Sequence, residues 1–414
     1  MARKRLWHSV SIVPSVLVAV VTLVTSASAS TESVLYSFSG GSDGGYPDSD
    51  LVMDRAGNLY GTSVEGGAFG SGAVFELSPS GTSWTETVLY SFTSGTDGGE
   101  PYGGVTLDAV GNLYGTTVTG GSGGACEGGC GVAFKLTNSA GAWTETVIHN
   151  FTGGADGSGP GAGLSLGKDG GLYGMTPIGG ASGLGVIYEL KSNSNGTWGE
   201  RIIHTFTGGV DGAAGSAGRL IRDAAGNLYG VATVGGAHGD GVVFELTPIQ
   251  GGSWKLTTLY SFRGQPDAGY PYGALAFDHA GNLYGTTYYG GASNLGAVYK
   301  LAFARGVWSE TVLYSFKGGN DGSNPISNLA FSSTGDLYGT TSAGGSAKCS
   351  CGTVFKLTPA GNGTWTETVA YRFLGAPDAG FVYNGMIAGP AGSYYGTSVH
   401  GGVDNEGSVY EFTP

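Results

Sequence analysis

An aspartate five residues after a phenylalanine is the most regular polar feature of the sequence. It recurs seven times, at Asp43, Asp97, Asp156, Asp211, Asp267, Asp321 and Asp378. Seven carboxylates on one rim of a ring-shaped protein could bind Ca²⁺, which prefers clustered oxygen ligands. An aspartate followed by Gly or Ala in a turn can also accept local backbone N–H hydrogen bonds. The turn role is favoured, because a residue present in every repeat most simply serves the repeat. Calcium is the alternative, and no other cofactor is expected.

Aromatic residues in the neighbouring loops are irregular, and binding sites on a repeat scaffold are expected where the repeats differ. The candidate ligand-binding residues are Tyr46, Tyr102, Tyr270, Tyr272, Tyr288, Tyr289, Tyr383, His238 and His400, with Phe69 and Phe381 in the same loops. Exposed rings beside carboxylates suit sugar faces or peptide side chains. Packing between loops is the alternative for any single tyrosine.

No catalytic motif stands out: we find no nucleophile elbow, phosphate loop or zinc-binding helix. Asp48, Asp50, Glu65 and Glu100 could supply a pair of carboxylates at the separation that glycosidases use, but a sequence does not give that separation. A carbohydrate-active enzyme, a hydrolase or a lyase, is therefore the alternative function, and no catalytic residue is assigned. His149 and His204 replace a strand tyrosine and are expected to be packed residues.

The first 29 residues have the layout of a secretory signal peptide. Arg3, Lys4 and Arg5 precede an apolar stretch, and Ala27-Ser28-Ala29 forms a small-residue cleavage site. An uncleaved membrane anchor is the alternative. The net charge of −13 would become about −16 after cleavage, because three positive charges are lost. An exported acidic protein without a basic patch is a poor candidate for binding nucleic acid or anionic lipid.

The four cysteines form two close pairs in corresponding loops, Cys126 with Cys130 and Cys349 with Cys351. In an exported protein such pairs predict local disulfides. The first disulfide is the firmer prediction, because a bridge across the three residues CSC would be strained.

Seven copies of one unit fill residues 30–414, which we interpret as a single domain. The tyrosine of the NLYG motif recurs every 54 to 59 residues, at Tyr60, Tyr114, Tyr173, Tyr229, Tyr284, Tyr338 and Tyr395. Each unit has four strand-like segments. In the first unit these are 50–54, 58–63, 73–78 and 84–92, and the 83 glycines of the chain cluster in the breaks between such segments. A period of this size predicts an all-β, seven-bladed β-propeller with four strands per blade.

The N-terminal strand is expected to close the ring. The segment TESVLYSF (31–38) repeats as TETVLYSF (85–92), yet the last unit ends at GSVYEFTP (407–414) without a fourth strand. Pairing of 31–38 with that end would complete the seventh blade and remove the open edges of a linear stack.

Two further expectations concern packing. A glycine follows every NLY tyrosine, for example Gly61, which suggests that an aromatic ring or backbone from the next unit lies against it. Glutamates recur on the outermost strand, at Glu86, Glu145, Glu200, Glu310 and Glu367, with Leu256 as the exception. At an outer edge these charges would discourage edge-to-edge association.

The repeated unit resembles a known family. GNLYGTT, a Gly-Gly loop, VFKLTP and TVLYSF closely resemble the GloVer tandem-repeat family of exported bacterial proteins over residues 31–414, and LDAVGNLYGTT is similar to an NHL-type propeller blade. The resemblance implies a β-propeller-like fold and no established reaction. The turn TPAGNGTW (358–365) is similar to the Asp-box of sialidase-like propellers, but Ala360 replaces the aspartate, so sialidase chemistry is not carried over.

The sequence therefore predicts a secreted or periplasmic, monomeric propeller. It would act as a binding or structural module that recognises an extracellular glycan or protein through one rim. A carbohydrate-active enzyme and a calcium-stabilised scaffold are the alternatives.

Overall fold

The computed structural model describes residues 30–215 and 218–414, and the predicted signal peptide at 1–29 lies outside them. Seven antiparallel sheets follow one another along the chain, and six of them are contiguous in sequence. The described residues contain no α-helix, only two 3₁₀ turns at Gly319–Asp321 and Pro390–Gly392. The prediction of an all-β propeller with seven four-stranded blades is confirmed.

Each blade is built from four strands, which we number from the channel outwards. The first strands are Val52–Met53, Val105–Leu107, Ser165–Leu166, Ile221–Arg222, Ala276–Phe277, Ala330–Phe331 and Ile387–Ala388. The second strands are Leu59–Ser63, Leu113–Thr116, Leu172–Thr176, Leu228–Val234, Leu283–Gly290, Leu337–Thr341 and Tyr394–Ser398. The third strands are Ala73–Ser80, Val132–Ser139, Val186–Ser192, Val242–Pro248, Ala297–Ala304, Thr353–Pro359 and Ser408–Thr413. The fourth strands are Ser83–Ser91, Ala142–Asn150, Trp198–Thr205, Trp254–Ser261, Val307–Ser315, Trp365–Arg372 and Thr31–Ser37.

Four short strands lie outside this pattern. They are Ala213–Gly215, Ala268–Pro271, Ala379–Gly380 and His400–Gly401. The first two pair with the second strands of blades four and five, and the last two pair with each other. They extend the loops that join blades at the rim where the candidate ligand-binding residues lie.

The first strand of each blade is shorter than the sequence suggests. In blade one only Val52 and Met53 pair with the second strand, although 50–54 is strand-like in the sequence. Asp54 instead accepts hydrogen bonds from Asn58 and closes the hairpin. Asp50 accepts a side-chain amide from another blade, so it leaves the sheet for the channel.

The N-terminal strand closes the ring. Thr31–Ser37 runs antiparallel to Ser408–Thr413, with Thr31 opposite Thr413 and Ser37 opposite Ser408. The same closure is repeated at the channel, where the Thr397 hydroxyl donates to the Ser49 carbonyl oxygen at 2.8 Å. Blades seven and one are therefore joined at both their outer and inner ends.

The glycine after each NLY tyrosine makes room for an aromatic ring, but the ring belongs to its own blade. A Cβ on Gly61 would lie 2.6 Å from Cζ of Phe75, which is directly opposite on the third strand, and 2.9 Å from Leu51. The other six glycines face the third-strand aromatics of their own blades in the same way: Phe134, Tyr188, Phe244, Tyr299, Phe355 and Tyr410. The expectation of a ring from the next unit is therefore wrong.

A β-bulge interrupts every fourth strand. In blade one Val88 lies opposite Phe75 and Tyr90 lies opposite Val74, so Leu89 is an extra residue. Leu89 is buried rather than on the outer face that strict alternation would give it. Such a bulge increases the local twist, which fits the twisted blades of a propeller.

The outer glutamates are half-buried between blades, so the prediction that they display charge at an open edge is wrong. Glu86 shares a face of its strand with Trp84 and Val88, and this face packs on the neighbouring blade. Burial and, to a smaller extent, the nearby carboxylate of Asp43 raise the pKa of Glu86 to about 7. Glu145, Glu200, Glu310, Glu367 and Glu32 lie in the same way beside the aspartate of the preceding loop.

Both predicted disulfides are present, Cys126–Cys130 and Cys349–Cys351. Disulfides persist in oxidising compartments, which favours a location outside the cytoplasm. Within the two described stretches, no helix has the length and apolar character needed to cross a bilayer.

Candidate functional site

A cavity of about 850 Å³ lies at the channel, between the segments that lead into the first strands and the loops that follow the second strands. One register position, twelve residues before the NLYG tyrosine of each blade, supplies much of its wall. In the six blades where the structure describes this position, it holds Asp48, Tyr102, Gly161, Tyr272, Ile326 and Tyr383. The scaffold is constant there and the side chains differ, so the cavity is asymmetric.

Two aspartates from blade one face two asparagines from blades six and seven in this cavity. Asn384 Nδ2 donates to Asp48 Oδ1 at 2.7 Å. Asn328 Nδ2 donates to both carboxylate oxygens of Asp50, at 2.9 and 2.8 Å. Burial, together with the charge of Asp50, raises the pKa of Asp48 to about 6, although the Asn384 hydrogen bond opposes this shift.

Aromatic rings form much of the rest of the wall. Six of the predicted tyrosines line the cavity, namely Tyr102, Tyr270, Tyr272, Tyr288, Tyr289 and Tyr383, and Phe381 joins them. Tyr289 packs edge-to-face on Tyr288 and Tyr270, with ring centroids 4.6 and 5.3 Å apart. Tyr102, Tyr272 and Tyr289 keep more than a third of their surface exposed, so their rings are available to a ligand.

Three predicted residues lie elsewhere. His400 packs edge-to-face between Tyr46 and Phe381, with centroids 5.1 and 5.3 Å apart. Tyr46 and His400 are therefore engaged in packing blade one against blade seven. His238 is exposed in its loop and does not line the cavity, and Phe69 is also exposed away from it.

The seven repeated aspartates each close a turn. Every one accepts the backbone N–H of the residue four positions earlier, at 2.7 to 3.1 Å. Six also accept a hydrogen bond from the tyrosine or histidine two residues before the strand-ending phenylalanine, at 2.6 to 3.1 Å. These contacts use the carboxylate oxygens locally and support the turn role over the calcium alternative.

The Gloeobacter/Verrucomicrobia repeat model matches residues 19–128, 122–349 and 218–414. The chain belongs to this family. Similar solved structures include a protein of unknown function from Dyadobacter fermentans, with 10% identity, a TM-score of 0.45 and coverage of 92% of this chain and 96% of that one. A proposed oxidoreductase (glucose dehydrogenase) from Thermus thermophilus has 17% identity, a TM-score of 0.41 and coverage of 75% and 95%. Both TM-scores are too low to support an inference about function. No curated protein matches the sequence.

Sequence reasoning missed the two asparagines of this Gloeobacter/Verrucomicrobia repeat protein. Asn328 occupies the same register position in blade six as Asp50 in blade one, and Asn384 occupies that of Ser49. A comparison of the repeats position by position would have marked them, because glycine, alanine or serine stands at the matching place in most blades. Their pairing with particular aspartates across the channel depends on the closed ring.

Replacement of a turn aspartate in this repeat protein separates its two possible roles. Asp97→Ala should destabilise the protein by about 1–3 kcal/mol, because the Thr93 N–H and the Tyr90 hydroxyl lose their charged acceptor. Denaturant unfolding with and without millimolar Ca²⁺ would measure this. A wild-type protein that gains stability with Ca²⁺, beside a variant that gains none, would contradict a turn role alone.

Proposed function

We propose that the protein is an exported binding module that takes up a carbohydrate in the central cavity. The observation that carries this proposal is the meeting, in one cavity, of six tyrosines with two aspartate–asparagine pairs. Flat rings with polar edges suit the apolar faces of sugars, and fixed amides and carboxylates suit their hydroxyl groups. The volume of about 850 Å³ lies in the usual range for ligand sites and accommodates a short oligosaccharide.

Charge narrows the ligand class. Asp48 and Asp50 line the cavity, and no lysine or arginine is among its lining residues in the part of the chain that the structure describes. An anionic sugar would meet the negative charge of these two carboxylates in the cavity wall. Neutral oligosaccharides and amino sugars are therefore the expected ligands. A peptide with aromatic or basic side chains would satisfy the same wall, so a protein ligand is one outcome of the test.

A second candidate, glycoside cleavage, has one observation in its favour. Asp48 has a raised pKa of about 6, and Asp50 is a second carboxylate in the same cavity. A protonated acid beside an ionised carboxylate is the pairing that glycosidases use. In this case Asp48 would donate a proton to the leaving oxygen, and Asp50 would act as the base or nucleophile.

Export is part of the proposal. The signal-like layout of residues 1–29 and the two disulfides support a periplasmic or extracellular location. Fractionation of the producing cells, with mass analysis of the mature N-terminus, would test it. A chain that begins at residue 30 outside the cytoplasm is expected, and full-length protein retained in the cytoplasm would contradict export.

The binding proposal is tested with an array of neutral, acidic and amino-sugar oligosaccharides, followed by calorimetry on the strongest binder. Tyr272→Ala should weaken binding by about tenfold or more, because an exposed stacking surface is removed. Phe69→Ala is the matched control, since Phe69 is also an exposed ring but lies outside the cavity, and its affinity should stay unchanged.

The two candidate functions give different results with one further variant. If the protein only binds, Asp48→Asn should leave the affinity for neutral sugars within a few-fold of wild type. If the protein cleaves its ligand, the same variant should form no product. Absence of binding to any array member, or equal losses for Tyr272→Ala and Phe69→Ala, would contradict the central cavity as the site.

A further inference from the structure

Three side chains meet on the outer side of the ring, between blades two and three. His149 lies on the fourth strand of blade two, Asp156 in the loop that follows it, and Glu200 on the fourth strand of blade three. His149 Nε2 is 3.6 Å from Asp156 Oδ2 and 3.7 Å from Glu200 Oε1. All three candidate ligand atoms lie within 4.8 Å of one another, and no other such group of three occurs among the residues that the structure describes.

The repeat itself shows that this arrangement is unusual. At five other junctions a tyrosine occupies the place of His149, and its hydroxyl donates to the turn aspartate at 2.6 to 3.1 Å. At the remaining junction His204 hydrogen-bonds Asp211 at 3.0 Å, and the glutamate position there is Leu256. Only His149, within the described chain, replaces a tyrosine while both carboxylates are kept.

The atoms that would bind an ion are enclosed and unsatisfied. His149 Nε2 is buried and has no hydrogen-bond partner among the described residues. Glu200 Oε1 is also buried and unpaired, as is the matching oxygen of the other outer glutamates, so the histidine nitrogen is what distinguishes this junction. The His149–Asp156 separation exceeds a hydrogen bond, whereas His204 makes that bond at the matching place. An unpaired buried polar atom is costly, so a group that satisfies both at once would stabilise this junction.

We propose that His149, Asp156 and Glu200 bind a divalent transition-metal ion, Zn²⁺ in the first instance, that links the outer strands of blades two and three. Bonds of about 2.0–2.2 Å to nitrogen and oxygen place tetrahedral ligands about 3.4 Å apart. The two separations from His149, 3.6 and 3.7 Å, need a contraction of only a few tenths of an ångström, and the oxygen atoms of Asp156 and Glu200 lie within 4.8 Å of each other. One imidazole with two carboxylates suits Zn²⁺ better than Ca²⁺, which prefers oxygen alone.

The surroundings fit a held ion. The Thr152 N–H donates to Asp156 Oδ2 at 2.8 Å, and its hydroxyl donates to Oδ1 at 2.5 Å, so the carboxylate is oriented from behind. The His149 ring packs edge-to-face on Phe151 with centroids 4.6 Å apart, which restricts its rotation. No described lysine or arginine forms an ion pair with Asp156 or Glu200, so no cationic side chain competes with a metal ion for their oxygen atoms. Three protein ligands leave the fourth tetrahedral position for water.

Calorimetric titration of untagged, metal-stripped protein with Zn²⁺ at neutral pH tests the site. Wild type should bind one ion per chain. His149→Tyr, which installs the residue that five other blades carry, should fold normally and weaken binding by more than about tenfold. His204→Tyr is the matched control, because it makes the same change at the junction without a glutamate, and its affinity should equal that of wild type.

The visible absorption of Co²⁺ added in place of Zn²⁺ reports metal coordination directly and does not depend on the stability of the protein. Wild type and His204→Tyr should show visible bands of tetrahedral cobalt, and His149→Tyr should not. Equal Zn²⁺ affinity in wild type and His149→Tyr, or no stoichiometric binding in wild type, would overturn the proposal. This site lies away from the central cavity, so either result leaves the carbohydrate proposal standing.

Discussion

Deletion of residues 31–38 should abolish cooperative folding, or lower the melting temperature by tens of degrees. This segment is the whole fourth strand of blade seven, and it pairs along its length with Ser408–Thr413. Without it the third strand becomes an exposed edge, and the junction between blades seven and one loses its outer half. Circular dichroism melting and size-exclusion chromatography would measure the loss and any association through the new edge.

Packing sets the size of this effect. Phe38 is fully buried and packs edge-to-face on Phe75 with centroids 5.1 Å apart, in a cluster that also holds Leu77 and Val409. Removal of one buried phenylalanine side chain costs about 3–5 kcal/mol. The deletion also removes Leu35 and Tyr36 from the same cluster. The combined loss approaches the full stability of about 5–15 kcal/mol that is typical of a folded domain.

A circular permutant separates ring closure from mere loss of residues. Thr31 lies opposite Thr413, so a short turn can join Pro414 to Ser30, with new termini placed in the exposed turn at Gly81. This permutant keeps the closing strand and should melt at or above the temperature of wild type. A deletion variant that melts like wild type, or a permutant that melts like the deletion variant, would contradict closure by this strand.

The closing strand could be predicted from sequence because the repeat is nearly literal. TESVLYSF matches the fourth strand of the other units, and the last unit lacks one, so only one pairing completes the set. The aromatic contact at Gly61 could have been assigned as well. Gly61 lies directly opposite Phe75, and every unit carries an aromatic residue on its third strand, so a ring from the same blade is the simpler expectation.

The burial of the outer glutamates could have been predicted from their spacing to the tryptophans of the same strand. Glu86 has the same parity as Trp84, and side chains two apart on a strand share a face. Trp84 packs on Tyr395 of blade seven, so Glu86 had to face the same neighbour. The conclusion requires knowing that one face of the fourth strand packs against the preceding blade and is not exposed to solvent.

The cavity was less predictable, because equivalent loop positions take different partners. Tyr46 and Tyr270 occupy the same register position, and both have positive φ, 52° and 57°. Tyr46 packs on His400 of the preceding blade, where blade four has Val234 in the matching place. Tyr270 therefore packs on Tyr289 and lines the cavity. The different positions of Tyr46 and Tyr270 therefore depend on a contact with the preceding blade, which the sequence of one repeat does not show.

Stability should fall markedly between about pH 5 and pH 9, because protonated glutamates are held between the blades. The folded pKa is about 7 for Glu86, Glu145, Glu200 and Glu367, about 8 for Glu310 and about 9 for Glu32. Burial is the largest cause in each, and a neighbouring aspartate adds to it. A carboxyl whose pKa is raised on folding binds its proton more tightly in the folded state. Its stabilisation is complete below the unfolded pKa near 4.5 and is lost as the pH rises through the folded value.

Other groups set the lower limit of the range. Hydrogen bonds lower the folded pKa of Asp108 and Asp278 despite their partial burial. The folded protein therefore loses their stabilising contribution when the pH falls below about 4. The melting temperature should therefore peak near pH 5 and drop by about 5 °C or more by pH 9. Differential scanning calorimetry across this range would measure the curve.

Glu86→Gln is the variant that isolates one junction. Glu86 faces Asp43 and Tyr36, and a neutral amide reproduces the protonated state that the fold prefers beside them. The variant should melt close to wild type at pH 5 and above it at pH 9, so its curve is flatter. Thr87→Gln, on the exposed face of the same strand, should leave the pH dependence unchanged. A wild-type melting temperature that rises from pH 5 to pH 9 would show that the glutamates are ionised in the folded protein, and it would contradict this prediction.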